Sequence, residues 1–353
     1  MKKFVRKRLP HGPLLWLYYL LFPLIGIYRF IAVNIIRATW LLRIYKMHTD
    51  KLYWERVSRN IGWIRKADQT MLRKCIVGIA GCGGMGGLLA VILVRLGVGE
   101  VRIADNEAFD ITNLNRQYGA TLRTLGLSKA IETARILGWI SRDTHIVVYP
   151  EGIVEETAAD FVNGCDLICD EIEFWAVASR ILLHMYARQH DVDILCAPTV
   201  GFAVFIFLFT KTSRTVEQLL DMHYDEAVIL QDKLHRKIAT KGERRRVMRM
   251  MLRYAAPYLP EYSKNPEIYS TAEALRTRLL DEGTASIIST NPPMAAGLLA
   301  NHVLFYLLKK KSDIEWTFVA VPPRPGFLMY DAGHHEAKIV IDQFTEIVST
   351  PEV

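Results

Sequence analysis

Cys75-Ile-Val-Gly-Ile-Ala-Gly-Cys-Gly-Gly-Met-Gly-Gly87, read on through Val101-Arg-Ile-Ala-Asp105 to Asn113-Leu-Asn-Arg-Gln117 and Lys129, decides the fold of this chain. The apolar run Cys75 to Ala80 leads into a glycine turn and then into the amphipathic stretch Leu88 to Leu96, which predicts a strand, a tight turn and a helix. Gly81, Gly83 and Gly86 give the spacing G-x-G-x-x-G, with Gly84 inside it. Without Cβ atoms such a turn can take positive φ and bring backbone N–H groups to phosphate oxygens at the helix N-terminus. Asp105 closes the next apolar run, Val101 to Ala104, where a carboxylate accepts hydrogen bonds from ribose hydroxyls. Glycine turns of this spacing also serve plain strand-to-helix packing, or an NAD site.

The residues after Asp105 separate these readings. NAD needs a pyrophosphate cradle and a ribose acid, and has no use for Asn113, Arg116, Gln117 and Lys129 on the following loop and helix. Two cations beyond the ribose suit the β- and γ-phosphates of ATP, where they stabilise charge on departing pyrophosphate. The plain alternative is a solvated basic face, the usual fate of a single Arg or Lys.

With these motifs in place the chain resembles the ThiF/MoeB/HesA superfamily, the adenylating fold shared with the activating enzymes of ubiquitin-like proteins. The resemblance rests on Arg56-Val-Ser-Arg-Asn-Ile-Gly-Trp63, Gly81-Cys-Gly-Gly-Met-Gly86, Asp105, Asn113-Leu-Asn-Arg-Gln117, Lys129 and Asp166-Leu-Ile-Cys-Asp170. Asn291-Pro-Pro-Met-Ala-Ala-Gly-Leu-Leu-Ala-Asn301 is similar to the family's closing helix and Gly326-Phe-Leu-Met-Tyr-Asp331 to its last strands. It implies that Gly81, Gly83, Gly84 and Gly86 cradle phosphate, that Asp105 holds the ribose, and that Arg116 and Lys129 hold the triphosphate with Asn113 and Gln117 in support. Arg59 resembles the arginine that family members reach across a dimer interface to the partner's ATP, so a homodimer is expected. Where the family carries an Asp-Asn pair for Mg²⁺, this chain reads Asp170-Glu-Ile-Glu-Phe174. Glu173 falls on the metal-binding position, Asp170 is a second candidate, and Phe174 replaces the asparagine; one or two carboxylates with phosphates and water suffice for Mg²⁺.

None of the five cysteines, Cys75, Cys82, Cys165, Cys169 and Cys196, belongs to a C-x-x-C pair, so the structural zinc of many family members is not expected. Cys165, Cys169 and Cys196 read as core residues. The stretch Thr199 to Thr290, where thioester-forming relatives place their nucleophile, contains no cysteine, and a relay through sulfur is not expected. An odd cysteine count suits a reducing compartment.

At 353 residues and 51% hydrophobic content the chain can bury a large core. The apolar runs Cys75 to Ala80, Val101 to Ala104, His145 to Tyr149, Asp166 to Asp170 and Asp193 to Ala197 alternate with helical stretches near 88–96, 128–141, 154–163 and 176–188. The expected fold is α/β: a Rossmann-like, mostly parallel sheet with helices on both faces, a helical insertion and a hydrophobic basic N-terminal extension. The expected divisions are an extension over 1–50, the first part of an ATP-binding adenylation domain over 51–213, a helical insertion or lid over 214–285, and the closing helix and strands over 286–353. Within the insertion, Lys241-Gly-Glu-Arg-Arg-Arg246 and Arg249 begin a basic helix, read as a solvated face over an RNA or acidic-peptide surface. Pro257, Pro260 and Pro266 mark a loop suited to covering an adenylate.

Residues 1–49 hold nine Lys or Arg and no acid, so the rest of the chain carries a net charge of −2 against a total of +7. Leu14 to Ile27 is apolar but short for a span and is interrupted by Pro23 and Gly26. An amphipathic segment on the cytoplasmic face of a membrane is expected here, with a core or dimer-contact helix as the alternative.

The expected activity is ATP- and Mg²⁺-dependent adenylation of a carboxylate on a small carrier or ubiquitin-like protein or on a ribosomally made precursor peptide. Nucleic acid is not the expected partner, although a dehydratase acting on threonylcarbamoyladenosine in tRNA stands as an alternative within the resemblance. An NAD-dependent oxidoreductase and a non-catalytic membrane-bound scaffold are the readings from other classes.

Overall fold

The computed structural model describes residues 49–255 and 286–341, together with Ile31 and Ile35. It divides into two compact units, Met1–Glu55 and Arg56–Val353. The expected extension over 1–49 and the Pro257, Pro260 and Pro266 loop lie outside the described residues, apart from Ile31, Ile35 and Thr49. Helix α1 (Thr49–Arg56) crosses the boundary between the units.

In the larger unit the strands are β1 (Ile76–Ala80), β2 (Glu100–Ala104), β3 (His145–Tyr149), β4 (Leu167–Asp170), β5 (Ile194–Cys196), β6 (Thr199–Val200), β7 (Ala203–Phe209), β8 (Phe327–Asp331) and β9 (Glu336–Val340). The sheet order is β3-β2-β1-β4-β5-β7-β8-β9, with β6 paired to β7. From β3 to β5 all neighbours are parallel, as helical crossovers demand; from β5 to β9 they are antiparallel. The order reverses between β1 and β4, which places the crevice for a ligand beyond their C-terminal ends.

Strand alternation sorts the core into two layers. Val77, Ile79, Val101, Ile103, Leu195, Val204 and Ile206 face one side, under α3 (Gly86–Leu96), α4 (Lys129–Ile140) and the long α10 (Asn291–Lys311). Ile168, Ile194, Phe205, Phe207 and Phe209 face the other, under α5 (Glu155–Val162) and α6 (Val177–Gln189). Helix α2 (Lys66–Leu72) precedes β1. The described part of the expected insertion is no detached appendage. Its helices α7 (Val216–Leu220), α8 (Tyr224–His235) and α9 (Lys241–Ala255) bury Val216, Leu220, Ala227, Met251 and Tyr254 in the second layer, where they cover the antiparallel half of the sheet. The side of α9 carrying Lys241, Arg245 and Arg249, spaced four apart, is exposed.

Candidate functional site

Gly81 follows β1 with φ +101°, a left-handed conformation that an L side chain would strain. A Cβ there would stand 2.1 Å from the Glu171 carbonyl oxygen, and one on Gly86 would stand 1.9 Å from that of Gly81, so packing alone demands both glycines. Gly83 has no such reason: the nearest atom to its missing Cβ is Gln117 Nε2 at 3.8 Å. The space a side chain would fill is therefore left free beside the start of α3. A Cβ on Gly84 would stand 3.0 Å from Pro292 Cγ, since the first turn of α10 packs against the same turn.

Asp105 ties this turn to the end of β2. Its Oδ2 accepts from the Cys82 N–H at 2.6 Å and its Oδ1 from the Glu107 N–H at 2.8 Å, while burial raises its carboxyl above the usual carboxylate range. Asp110 then caps a short 3₁₀ turn (Ile111–Asn115). Buried Asn113 returns the capping bond to the Asp110 N–H at 3.2 Å, which makes it the residue that shapes the loop. That loop carries Arg116, whose Nη1 donates to Thr112 O at 2.8 Å and Asn115 Oδ1 at 3.0 Å. Arg116 makes no ion pair among the described residues, and desolvation lowers its pKa from the ordinary guanidinium value. Asp110 and Glu107 act on this half-buried guanidinium only through space, without an ion pair, which leaves it open to an anion. Gln117 is buried next to it, and its Oε1 has no hydrogen-bond partner among the described residues.

Lys129 opens α4 and is 4% exposed, with its Nζ 2.5 Å from Glu107 Oε2. The sequence had placed Arg116 and Lys129 on one site, and the structure brings both to the glycine turn and adds Glu107, for which no motif gave a signal. At the end of β4 the two metal candidates part. Asp170 accepts from Arg180 Nε (2.9 Å), His184 Nε2 (3.0 Å), Tyr254 OH (3.0 Å) and the Ile172 N–H (3.1 Å), and these partners hold its carboxyl far below the usual range despite burial. Those four bonds give Asp170 a structural task, anchoring α6 and α9 to β4. The Glu173 carboxylate, by contrast, accepts one bond among the described residues, from the Trp175 N–H at 2.9 Å. Glu173 is an exposed residue by surface area, and the protein atoms crowded around its carboxyl, with the Glu107 charge, raise it to about 7. Glu171 between them rises to about 8 through burial and the neighbouring Asp170 charge.

A cation would relieve Glu173. Among the described residues no group of three or more His, Cys, Asp or Glu side chains could hold a metal, so Mg²⁺ here would rest on Glu173 with phosphate oxygens and water. All five cysteines are buried and free, and burial pushes the Cys75 and Cys165 thiols up to about 12 and the other three upward as well, which suppresses thiolate.

Arg59 is exposed and stands apart from this group. Asn60 beside it donates to Leu96 O at 3.0 Å, at the far end of eleven-residue α3 from the glycine turn. At ~1.5 Å rise per residue the two ends are about 15 Å apart, so Arg59 does not reach the glycine turn of its own chain. Among the described residues no helix is long and apolar enough to cross a membrane.

Known proteins resemble this chain in sequence and fold. The chain is 27% identical over 264 residues to the tRNA threonylcarbamoyladenosine dehydratase of Bacillus subtilis (strain 168), covering 73% of this chain and 95% of that one. It is 30% identical over 132 residues to the adenylyltransferase and sulfurtransferase UBA4 of Debaryomyces hansenii, of which it spans only 28%. Among solved structures, E. coli MccB with ATP superposes with a TM-score of 0.52 at 17% identity over 80% of this chain and 70% of that one; PaaA gives 0.52 at 12% over 83% and 74%. These two likenesses establish the α/β fold. The ThiF family profile matches residues 57–334, most of the chain and all of the turn, loop and strand ends described above, and the chain belongs to the ThiF family.

Proposed function

We propose that this protein binds ATP with Mg²⁺ at the glycine turn and adenylates a carboxylate. The carrying observation is Arg116, desolvated and without an ion pair among the described residues, next to the free space at Gly83. In this reading the turn's N–H groups and Gly83 admit phosphate, Asp105 takes ribose hydroxyls, and Arg116, Lys129 and Gln117 hold the outer phosphates, with Asn113 fixing their loop. An ionised carboxylate oxygen attacks the α-phosphorus, the bond to the bridging oxygen breaks, and pyrophosphate leaves with that electron pair. No proton has to move, so positioning and charge neutralisation carry the rate. Glu173 would hold Mg²⁺, which would supply further neutralisation of the phosphates, and Glu173→Gln is expected to weaken a Mg²⁺ titration of activity.

Arg59 serves the partner's site in a homodimer. Supporting this is an exposed apolar set that a monomer would leave wet, among it Trp63, Ile111, Leu122, Ile131 and Trp139. The acceptor is a carrier protein or precursor peptide. A tRNA nucleoside is the second reading, favoured by the 95% coverage of the Bacillus subtilis dehydratase. Exchange of label from pyrophosphate into ATP tests the adenylation: exchange that depends on an added acceptor supports it, and NAD binding without exchange overturns it.

A further inference from the structure

Towards the C-terminal end of α10 a cavity of about 310 Å³ lies between that helix, the paired residues Leu195 of β5 and Leu208 of β7, and the chain at 319–321. His302 is its first lining residue along α10, and from Asn291 to that point the helix rises about 16 Å, so this space is separate from the nucleotide crevice. Its polar groups have partners. His302 Nε2 lies 2.9 Å from Tyr330 OH, and Tyr306 OH donates to Asp193 Oδ2 at 2.6 Å. Its apolar walls, Leu195, Leu208, Phe305 and Val321, border space that no side chain fills. Satisfied polar atoms and uncovered apolar ones call for an apolar occupant. A cavity about half this size takes one benzene ring, so a body of roughly ten to twelve carbons fits.

The charge sits at the mouth. Three charged side chains line the cavity, Asp193, Lys309 and Lys310. Lys309 Nζ donates to Phe318 O and Lys310 Nζ to Tyr306 OH, each at 2.7 Å, and neither lysine makes an ion pair among the described residues. The next lysine, Lys311, pairs with Asp166, and Lys211 stands 3.9 Å from Asp191, so the acids outside the mouth have cations of their own. Two cations against Asp193 leave one positive charge unmatched, which a single anionic head neutralises. Each ammonium keeps donors to spare for it. Both lysines are exposed, so the head stays at the water edge while the tail enters. The wall is already in place: Phe318 stacks on Phe305 with ring centroids 4.2 Å apart and Trp316 on Phe318 at 5.0 Å, which with the Lys309 bond holds this segment to α10.

We propose that this cavity binds a free medium-chain carboxylate of the fatty-acid type, with a chain of roughly ten to twelve carbons against Leu195, Leu208 and Phe305 and the carboxylate at Lys309 and Lys310. The site does not depend on the adenylation reading.

Calorimetric titration of the full chain with decanoate, octanoate and octanol, each below its micelle or solubility limit, tests it. Decanoate is expected to saturate one site per chain, and octanoate to bind roughly tenfold more weakly for two lost methylenes. Octanol is expected to bind about fivefold more weakly than octanoate for the lost charge. Lys309→Gln combined with Lys310→Gln, both on the surface, brings octanoate down to the affinity of octanol and leaves octanol unchanged. Val321→Trp fills the space and abolishes binding of all three; circular dichroism checks that it folds, and if it does not, the lysine pair decides. Absence of saturable decanoate binding below about 1 mM overturns the proposal. So does equal binding of octanol and octanoate by the wild type, which marks an apolar docking groove instead, or a lysine variant that binds octanoate as the wild type does, or a folded Val321→Trp that still binds decanoate.

Discussion

Lys129 Nζ donates to Glu107 Oε2 across 2.5 Å at the edge of the glycine turn, and the Glu107 N–H in turn donates to Asp105. A lysine that is 4% exposed is thus paired with one carboxylate whose far side is open, and phosphate can displace that partner. Lys129→Ala is expected to lower exchange of pyrophosphate into ATP by roughly two to three orders of magnitude. An unchanged melting temperature with normal exchange removes Lys129 from the site.

Two alanines in the same turn should behave oppositely. Gly86→Ala sets a Cβ 1.9 Å from a carbonyl oxygen and is expected to cost at least about 2 kcal/mol of stability, read as a fall in Tm. Gly83→Ala meets nothing closer than 3.8 Å, so it leaves Tm near the wild type and weakens ATP binding by filling the cradle. Equal effects on Tm would show that Gly83 is a packing residue.

The distance between Arg59 and its own turn gives a mixing test. Arg59→Ala and Lys129→Ala are each expected to be nearly inactive alone. Co-refolded in equal amounts they recover about a quarter of the wild-type activity, because half the dimers are mixed and each of those has one intact site. No recovery, with dimers verified by sedimentation, would exclude action across the interface.

His302 on α10 supplies the pH dependence. It is buried against Tyr330 OH at 2.9 Å, and desolvation lowers its pKa from the ordinary 6.5 to about 4. On acidification the unfolded chain takes this proton first. Stability therefore falls as pH drops from about 6.5 towards 4, by at most about 3 kcal/mol from this group, and is retained above that window. His302→Gln is expected to flatten the fall in chemical denaturation across that range; an unchanged slope would show that other groups dominate.

Much of the parallel half was legible. The runs at 75–80, 101–104, 145–149, 166–170 and 193–197 became β1 to β5 within a residue or two, and the helices expected near 88–96, 128–141, 154–163 and 176–188 became α3 to α6. Strand and helix periods are local properties, and buried parallel strands read as short apolar runs between them. The antiparallel extension was less legible, because β8 reaches β7 only through 117 residues of intervening chain that carry no pairing signal.

The sequence by itself determined the glycine turn, the acid that follows β2, the ordered Arg116 and Lys129 after it and the absence of cysteine between Thr199 and Thr290, since each is a matter of residue type at fixed local spacing. Tertiary structure alone decided which carboxylate is spoken for and where distant segments are tied. Asp170 is enclosed by Arg180, His184 and, from 84 residues away, Tyr254, while Asn291 is locked to Gly201 across 90 residues. The physical reason is that the ionic state and hydrogen-bond satisfaction of a buried group depend on what folding brings within about 3 Å, and residue spacing along the chain does not encode that.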